Sequence, residues 1–360
     1  MRLIFITDTL SSGGAERVVS ILANQFAHKW STEIVCLRKK EVFYEINPKV
    51  KILYADDYAK GWIGKMYWLR KYVKEEDVLL PFMVKVYCVT LLALIGKRVN
   101  VIASERNDPN TTKQPWKMLR PLLLPKVRTL VVQTQQIKDY FKDDIKKKIA
   151  IIVNPLDLKN CYLGEWNEQS KTVIAVGRTD PQKNYPMLIR AFSEIHKNHP
   201  DYRLEIWGNR LMGGGNLALL IEELGASDYI SIHGRTDDMA TLYGKAYMFV
   251  MSSDYEGLSN ALIEALSSGL PVVATKVSGA TDVIKSEENG LLVDIGDEQG
   301  LCRAMSLLIE NADEAYRLSE KARQSRLIFA KEKICSQWET LINKSIEYEQ
   351  KESRIHNDPL

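Results

Sequence analysis

The sequence is short of the residues that build metal or disulfide sites. Its 360 residues include only five cysteines, Cys36, Cys88, Cys161, Cys302 and Cys335, odd in number, scattered and without Cys-x-x-Cys spacing. That usage argues for a reducing cytosol and against a cysteine zinc site. The five histidines form no His-Glu-x-x-His pattern, and no Asp-x-Asp occurs, so no carboxylate pair gripping a divalent ion is indicated. No run approaches the ~18 apolar residues that span a bilayer. The opening Met1–Thr7 stretch is too short for a secretory signal and leads straight into a glycine loop. A cytoplasmic chain is expected. Two nucleotide-binding fingerprints are also missing. Gly13-Gly14-Ala15-Glu16-Arg17 is not Gly-x-Gly-x-x-Gly. The glycine-rich stretch Trp207–Gly215 is not followed by Gly-Lys-Ser/Thr, which rejects a Walker A loop.

What is present is ordinary in bulk and uneven in charge. The chain is 45% apolar and 26% charged, enough to bury large cores. At this length two domains are expected. Residues 1–158 hold 27 Lys and Arg against 16 Asp and Glu, and residues 159–360 hold 22 against 30, so balances of +11 and −8 lie behind the net +3. Only the first half is suited to meet a large anionic surface.

Short apolar runs alternate with amphipathic segments. In the first half the runs are Leu3–Thr7, Glu33–Leu37, Lys51–Tyr54, Val78–Pro81, Val99–Ala103, Thr129–Val132 and Ile149–Val153. In the second they are Thr172–Val176, Arg203–Trp207, Tyr229–Ile232, Met248–Met251, Val272–Thr275 and Leu291–Val293. This alternation predicts α/β architecture with helices covering parallel sheets. Asn154-Pro155-Leu156-Asp157 and the polar stretch to Lys171 read as the hinge between two doubly wound domains. The expected division is 1–158, 159–328, a helix over 329–350 crossing back to the first domain, and a loosely ordered polar tail over 351–360.

The richest stretch is Ser252–Thr275, S-S-D-Y-E-G-L-S-N-A-L-I-E-A-L-S-S-G-L-P-V-V-A-T. A buried strand enters a tight loop with Glu256 and Gly257, and a helix then starts near Ser259, carries Glu264 and ends at Gly269. First-turn amides without partners and a positive dipole make such a helix start an anion site. A carboxylate beside it suggests a ligand with both hydroxyls and phosphates, such as a nucleotide sugar. Gly177-Arg178-Thr179-Asp180-Pro181-Gln182-Lys183-Asn184 follows the first strand of the second half. It places a forked Arg and a point-charge Lys at the sheet edge where open α/β folds bind ligands, a pair suited to a diphosphate. Each feature also has a plain alternative: a strand–helix turn for Gly13 and Gly14, a solvated charged loop for Arg178 and Lys183, an ordinary helix glutamate for Glu264.

Taken together, G-G-A-E-R near the start, N-P at the hinge, G-R-x4-K-N and E-G-L-S-N-A-L-I-E resemble the retaining glycosyltransferases of family 4, and most of the chain is covered. The resemblance implies the GT-B architecture, two Rossmann-like domains facing across a cleft. Within that family the chain looks like bacterial transferases that build lipid-linked glycans or surface polysaccharide. Carried over by residue, it implies that Arg178 and Lys183 bind the donor diphosphate, that Glu256 hydrogen-bonds the transferred sugar and that Glu264 holds the ribose. Gly257 and the amides of Leu258, Ser259 and Asn260 would meet the phosphates, with Gly13 and Gly14 beside them, and His233-Gly234-Arg235 would border the base. Glu105 and Arg106 are placed on the acceptor side, with Arg106 where relatives carry His.

The reaction so implied moves a sugar from a nucleoside diphosphate, with UDP favoured, to a hydroxyl of a lipid-linked or other glycan acceptor with retained configuration, without cofactor or metal. A sugar-nucleotide 2-epimerase and a non-catalytic nucleotide-sugar-binding protein are the alternatives. Residues 60–74 carry five cations, four aromatics and no acid, and 113–128 add Lys113, Trp116, Lys117, Arg120, Leu122–Leu124, Lys126 and Arg128. Cations interleaved with aromatics suit an anionic membrane surface, so peripheral attachment to the inner face of the cell membrane is expected. The basic segments carry no nucleic-acid-reading module, so no nucleic acid is expected as partner.

Overall fold

The computed structural model describes residues 1–209 and 217–357, with side chains to residue 348. Most of the glycine-rich stretch rejected as a Walker A loop, and the last three residues of the polar tail, lie outside the described residues.

The chain forms two compact units, Met1–Pro155 together with the chain from Glu332 onward, and Leu156–Lys331. In the first, β1 (Leu3–Thr7), β2 (Thr32–Cys36), β3 (Lys51–Tyr54), β4 (Val78–Pro81), β5 (Asn100–Ser104), β6 (Thr129–Val132) and β7 (Ile149–Ile151) form one seven-stranded sheet in the order β3-β2-β1-β4-β5-β6-β7. In the second, β8 (Thr172–Val176), β9 (Arg203–Trp207), β10 (Ile230–His233), β11 (Met248–Met251), β12 (Val272–Thr275) and β13 (Leu291–Val293) run β10-β9-β8-β11-β12-β13. Every pairing is parallel. Both sheets therefore reverse direction once, at β1/β4 and at β8/β11, and such switch points open crevices at the C-terminal strand ends. Central strands such as β1 and β4 are buried throughout, as continuous apolar runs between two helical layers require.

Expected and observed strands differ by a residue or two at their ends, where hydrogen bonding rather than apolarity sets the limit. The boundary between units falls at Pro155, because Leu156 bridges to Ala330 and its N–H donates to the Phe329 carbonyl, which ties it to the second unit. The helix Lys331–Asn357 belongs to the first unit from Glu332 onward. Ile334, Cys335, Trp338 and Ile342 share one stripe of it and join Leu3, Phe5 and Phe82 in a single core cluster. The Ser345 hydroxyl meets Asn100 Oδ1 at 2.5 Å. This helix continues through Asn357, over part of the segment expected to be a loose tail.

Candidate functional site

In the second unit, the loops leaving β8 and β11 lie side by side at the switch point and are fastened at several points. Asp254 N–H donates to the Gln182 carbonyl at 2.9 Å, Gln182 Nε2 to the Tyr255 carbonyl at 2.8 Å, Asn184 Nδ2 to Asp254 Oδ1 at 2.8 Å, and the Ser252 hydroxyl to the Lys183 carbonyl at 2.8 Å. Asn184 sits at φ +45°, in the left-handed region that Asn tolerates better than most residues. Gly177 serves a different need, since a Cβ there would meet Lys183 Cε at 2.6 Å and Tyr185 Oη at 2.9 Å, so its lack of a side chain gives the lysine its path.

This fastening brings the charged candidates together. Lys183 Nζ lies 2.6 Å from Glu256 Oε1, and the Ser253 hydroxyl reaches the same oxygen at 3.3 Å. Arg178 pairs with Asp180 at 3.2 Å, and its side chain stays 54% exposed, within reach of a ligand above the loop. Asp180 Oδ1 and Tyr185 Oη are buried there without hydrogen-bond partners. Burial, with Glu256 and Asp180 nearby, drives the Tyr185 hydroxyl far above its usual range, so it stays protonated as a donor. The helix Asn260–Ser267 begins directly after this loop, and Ser259 caps it by accepting from Leu262 N–H at 3.4 Å. A Cβ on Gly279 would meet the Gly257 carbonyl oxygen at 1.9 Å, so the helix Ser278–Val283 can lie against the loop only because that position is glycine. Glu264 is buried in the Asn260–Ser267 helix and accepts from the Tyr243 hydroxyl at 3.0 Å. His233, at the end of β10, stacks on Trp207 with ring centres 4.2 Å apart and meets the Ser231 hydroxyl at 2.8 Å. The Gly234 carbonyl accepts from Gly208 N–H at 3.2 Å.

The candidates of the first unit have a different setting. Gly13 caps the helix Gly14–Phe26, and its carbonyl accepts from the Tyr44 hydroxyl at 2.9 Å. A Cβ on Gly13 would strike Glu16 Oε2 at 2.0 Å, so the chain's own carboxylate folds over Gly13, the first of the glycine pair expected beside a phosphate. Glu105, expected on the acceptor side, is buried. It accepts from the Tyr87 hydroxyl at 2.8 Å and lies 3.7 Å from Arg120, and burial outweighs that cation to push its carboxyl up to about 7. Arg106 turns to the opposite face of the sheet, over Phe82 and Trp338. Alternation along extended chain separates these neighbours.

Part of the basic, aromatic segment 60–74 also turns inward. Lys65 is buried, donating to the Leu37 carbonyl at 2.7 Å and pairing with Asp56, while Trp68 stacks between Tyr58 and Tyr72. Arg120, counted among the cations of 113–128, is the buried partner of Glu105. Still exposed are Trp62, Ile63, Tyr67, Ile95, Met118 and Leu122. Sequence reading missed the fastening by Gln182, Asn184 and Asp254, and the partnerships of Tyr243 and Trp338. Asn in G-R-x4-K-N was the one available signal, as a residue suited to a left-handed turn.

Residues 164–325 match the family described as glycosyl transferases group 1. Among curated proteins, the chain is 28% identical, over 95% of itself and 98% of the relative, to the Campylobacter jejuni GalNAc-alpha-(1->4)-GalNAc-alpha-(1->3)-diNAcBac-PP-undecaprenol alpha-1,4-N-acetyl-D-galactosaminyltransferase. It is 27% identical, over 91% of itself and 95% of the relative, to that organism's N-acetylgalactosamine-N,N'-diacetylbacillosaminyl-diphospho-undecaprenol 4-alpha-N-acetylgalactosaminyltransferase. Among solved structures, sucrose-phosphate synthase from Thermosynechococcus elongatus superposes with a TM-score of 0.82 at 19% identity, over 95% of this chain and 98% of that one. Anabaena HepE in complex with UDP superposes with 0.81 at 17% identity, over 96% and 100%. The architecture is the GT-B fold.

Proposed function

From the premise that this chain is a group 1 glycosyl transferase, we propose that it moves a sugar from a nucleoside diphosphate, UDP in first place, to a hydroxyl of a polyprenyl-diphosphate-linked glycan with retained configuration. The observation that carries the reading is the 2.6 Å contact of Lys183 with Glu256 beside the capped start of the Asn260–Ser267 helix. An ammonium has three donors, and one goes to Glu256. The others, with Arg178 and the first-turn amides around Leu258, Ser259 and Asn260, stabilise the diphosphate as it leaves. Glu256, fixed by Lys183 and Ser253, presents a carboxylate to sugar hydroxyls. Charge on the leaving group is thus met by protein cations, and turnover is expected to survive chelation of divalent metal. The relatives named for undecaprenol-linked acceptors support the acceptor class. The HepE complex supports UDP.

Peripheral membrane attachment is part of the proposal. Among the described residues no helix is long and apolar enough to cross a membrane. The helices Gly61–Tyr72 and Trp116–Leu123 both pack on the helix Val84–Ala93, and they leave Ile63 81% and Leu122 71% exposed among lysines and arginines. Beside the C-terminal end of the Gly61–Tyr72 helix a depression of about 430 Å³ is lined by Tyr67, Arg70, Lys71, Glu75, Gly96 and Lys97, a basic setting for anionic headgroups. Two measurements test the proposal. Purified chain with UDP-sugars and a diphosphate-linked acceptor should yield a retained-configuration glycoside, and failure with every nucleotide donor would refute it. Flotation with anionic vesicles at low salt should carry the protein upward, and recovery of all of it in the soluble fraction removes the membrane part.

A further inference from the structure

Arg106, just past the C-terminal end of β5, carries a charge that its surroundings leave unmatched. The residue is 8% exposed, and its guanidinium carbon lies 5.2 Å from the centre of the Phe82 ring and 5.6 Å from that of Trp338. Its Nη1 donates to Asn154 Oδ1 at 3.1 Å. Its Nε and Nη2 are buried without a hydrogen-bond partner, as are the Trp338 Nε1 and the Ser104 hydroxyl close by. The adjacent carboxylate, Glu105, faces the other side and is engaged by Tyr87 and Arg120. Among the described residues no carboxylate pairs with Arg106. Burial pulls its pKa down to about 9, still high enough to keep it a cation at neutral pH. A buried ion without counter-charge is costly, and native proteins pair such ions or hold them for a ligand. The unmatched nitrogens are all donors and the hydroxyl can act as one, and a planar guanidinium with two open N–H groups fits a tetrahedral oxyanion.

We infer that Arg106 is an oxyanion receptor of the first unit and takes a phosphate oxygen of a transfer substrate. The inference deepens the function proposed above and rests on it for the identity of the oxyanion, which either the donor or the acceptor diphosphate supplies. Because Nε and Nη2 are out of reach of water, the arriving oxygen must displace side-chain cover, and Arg106 is thereby selective for ligands held deeply enough to do so.

The test uses the full chain and inorganic pyrophosphate as the probe, with thermal unfolding as the readout. Arg178→Ala/Lys183→Ala should still gain a rise in midpoint from pyrophosphate, and adding Arg106→Met should remove it. Without pyrophosphate, Arg106→Met should unfold at or above the parent midpoint, since it buries no charge. If the rise is absent in the double variant, or survives Arg106→Met, the inference fails. Should Arg106→Met not fold, Arg106→Lys decides: pyrophosphate affinity lower by about tenfold supports the receptor, and unchanged affinity overturns it. Steady-state kinetics of Arg106→Lys then identify the source, because a raised KM for the nucleotide sugar names the donor. A raised KM for a diphosphate-linked glycan, absent with the same glycan on a neutral alkyl carrier, names the acceptor. If the parent transfers no sugar but the pyrophosphate pattern holds, the functional proposal has failed and the receptor has not.

Discussion

The two units repeat one sheet order and use its C-terminal edge in opposite ways. In the second, the loops past β8 and β11 are fastened to each other, and their opposite charges neutralise one another at Lys183 and Glu256. In the first, Glu105 and Arg106 point to opposite faces. One is consumed by internal partners, and the other keeps unused donors. The difference teaches that a parallel sheet fixes where polar groups emerge, and that loop-to-loop contacts fix whether they form one site or several. A site whose charges already meet is pre-organised for a ligand that carries both phosphate and hydroxyls, whereas an isolated cation recognises one anion.

The comparison can be broken most forcefully at Trp338, fully buried against Phe82 beneath Arg106. Trp338→Ala should cost about 3–5 kcal/mol of first-unit stability, seen as lost hydrogen-exchange protection there, while the second unit keeps its protection. Equal loss in both units would end the claim that each edge is built independently. Next is Lys183→Ala, which should lower kcat by roughly 100-fold or more, because one such preorganised contact is worth ~2.7–4 kcal/mol of barrier. Parent-like turnover would remove the second-unit loops from the site.

A smaller effect sharpens the contrast from the first unit. Glu105 titrates near 7 when folded and near the ordinary 4.5 when unfolded, a raised value. The sign follows: the unfolded chain gives up this proton first, so the stabilisation from the protonated form is complete below about 4.5 and fades as pH rises toward about 7. Glu105→Gln should flatten that slope, which corresponds to about 2 kcal/mol after allowance for coupling to Arg120. Urea unfolding at several pH values measures it, and an unchanged slope assigns the pH dependence elsewhere. The smallest effect is at Asn184, where Ala must occupy a left-handed turn and loses the bond to Asp254. About 1–2 kcal/mol of local stability should go, with Asn184→Gly recovering part. If Ala and Gly behave alike, the turn conformation is not what aligns Lys183.

Much of the architecture was legible because the signals are local. Runs such as Leu3–Thr7 and Met248–Met251 are apolar without interruption, as strands covered on both faces must be, and Ser259 announces its helix through its own side chain. Glu256 and Lys183 stood out by type and by position after strands. The burial of Glu105 was not legible, since its partners Tyr87 and Arg120 sit on two helices, one before it and one after it in the chain, and only packing brings the three together. The basic stretch 60–74 was legible only in part, because residue type does not say that Lys65 turns in toward Leu37 while Tyr67 stays out.

The sequence by itself determined the alternation of strand and helix, the two-part plan and the residue types able to hold a diphosphate and a sugar, because these depend on apolar periodicity and on side-chain chemistry carried by each segment. Only the tertiary structure decided that Lys183 meets Glu256 across 73 positions of chain, and that Trp338, from the far end, closes over the first sheet beside Arg106. Such contacts arise from packing one surface on another, and no single segment encodes both sides.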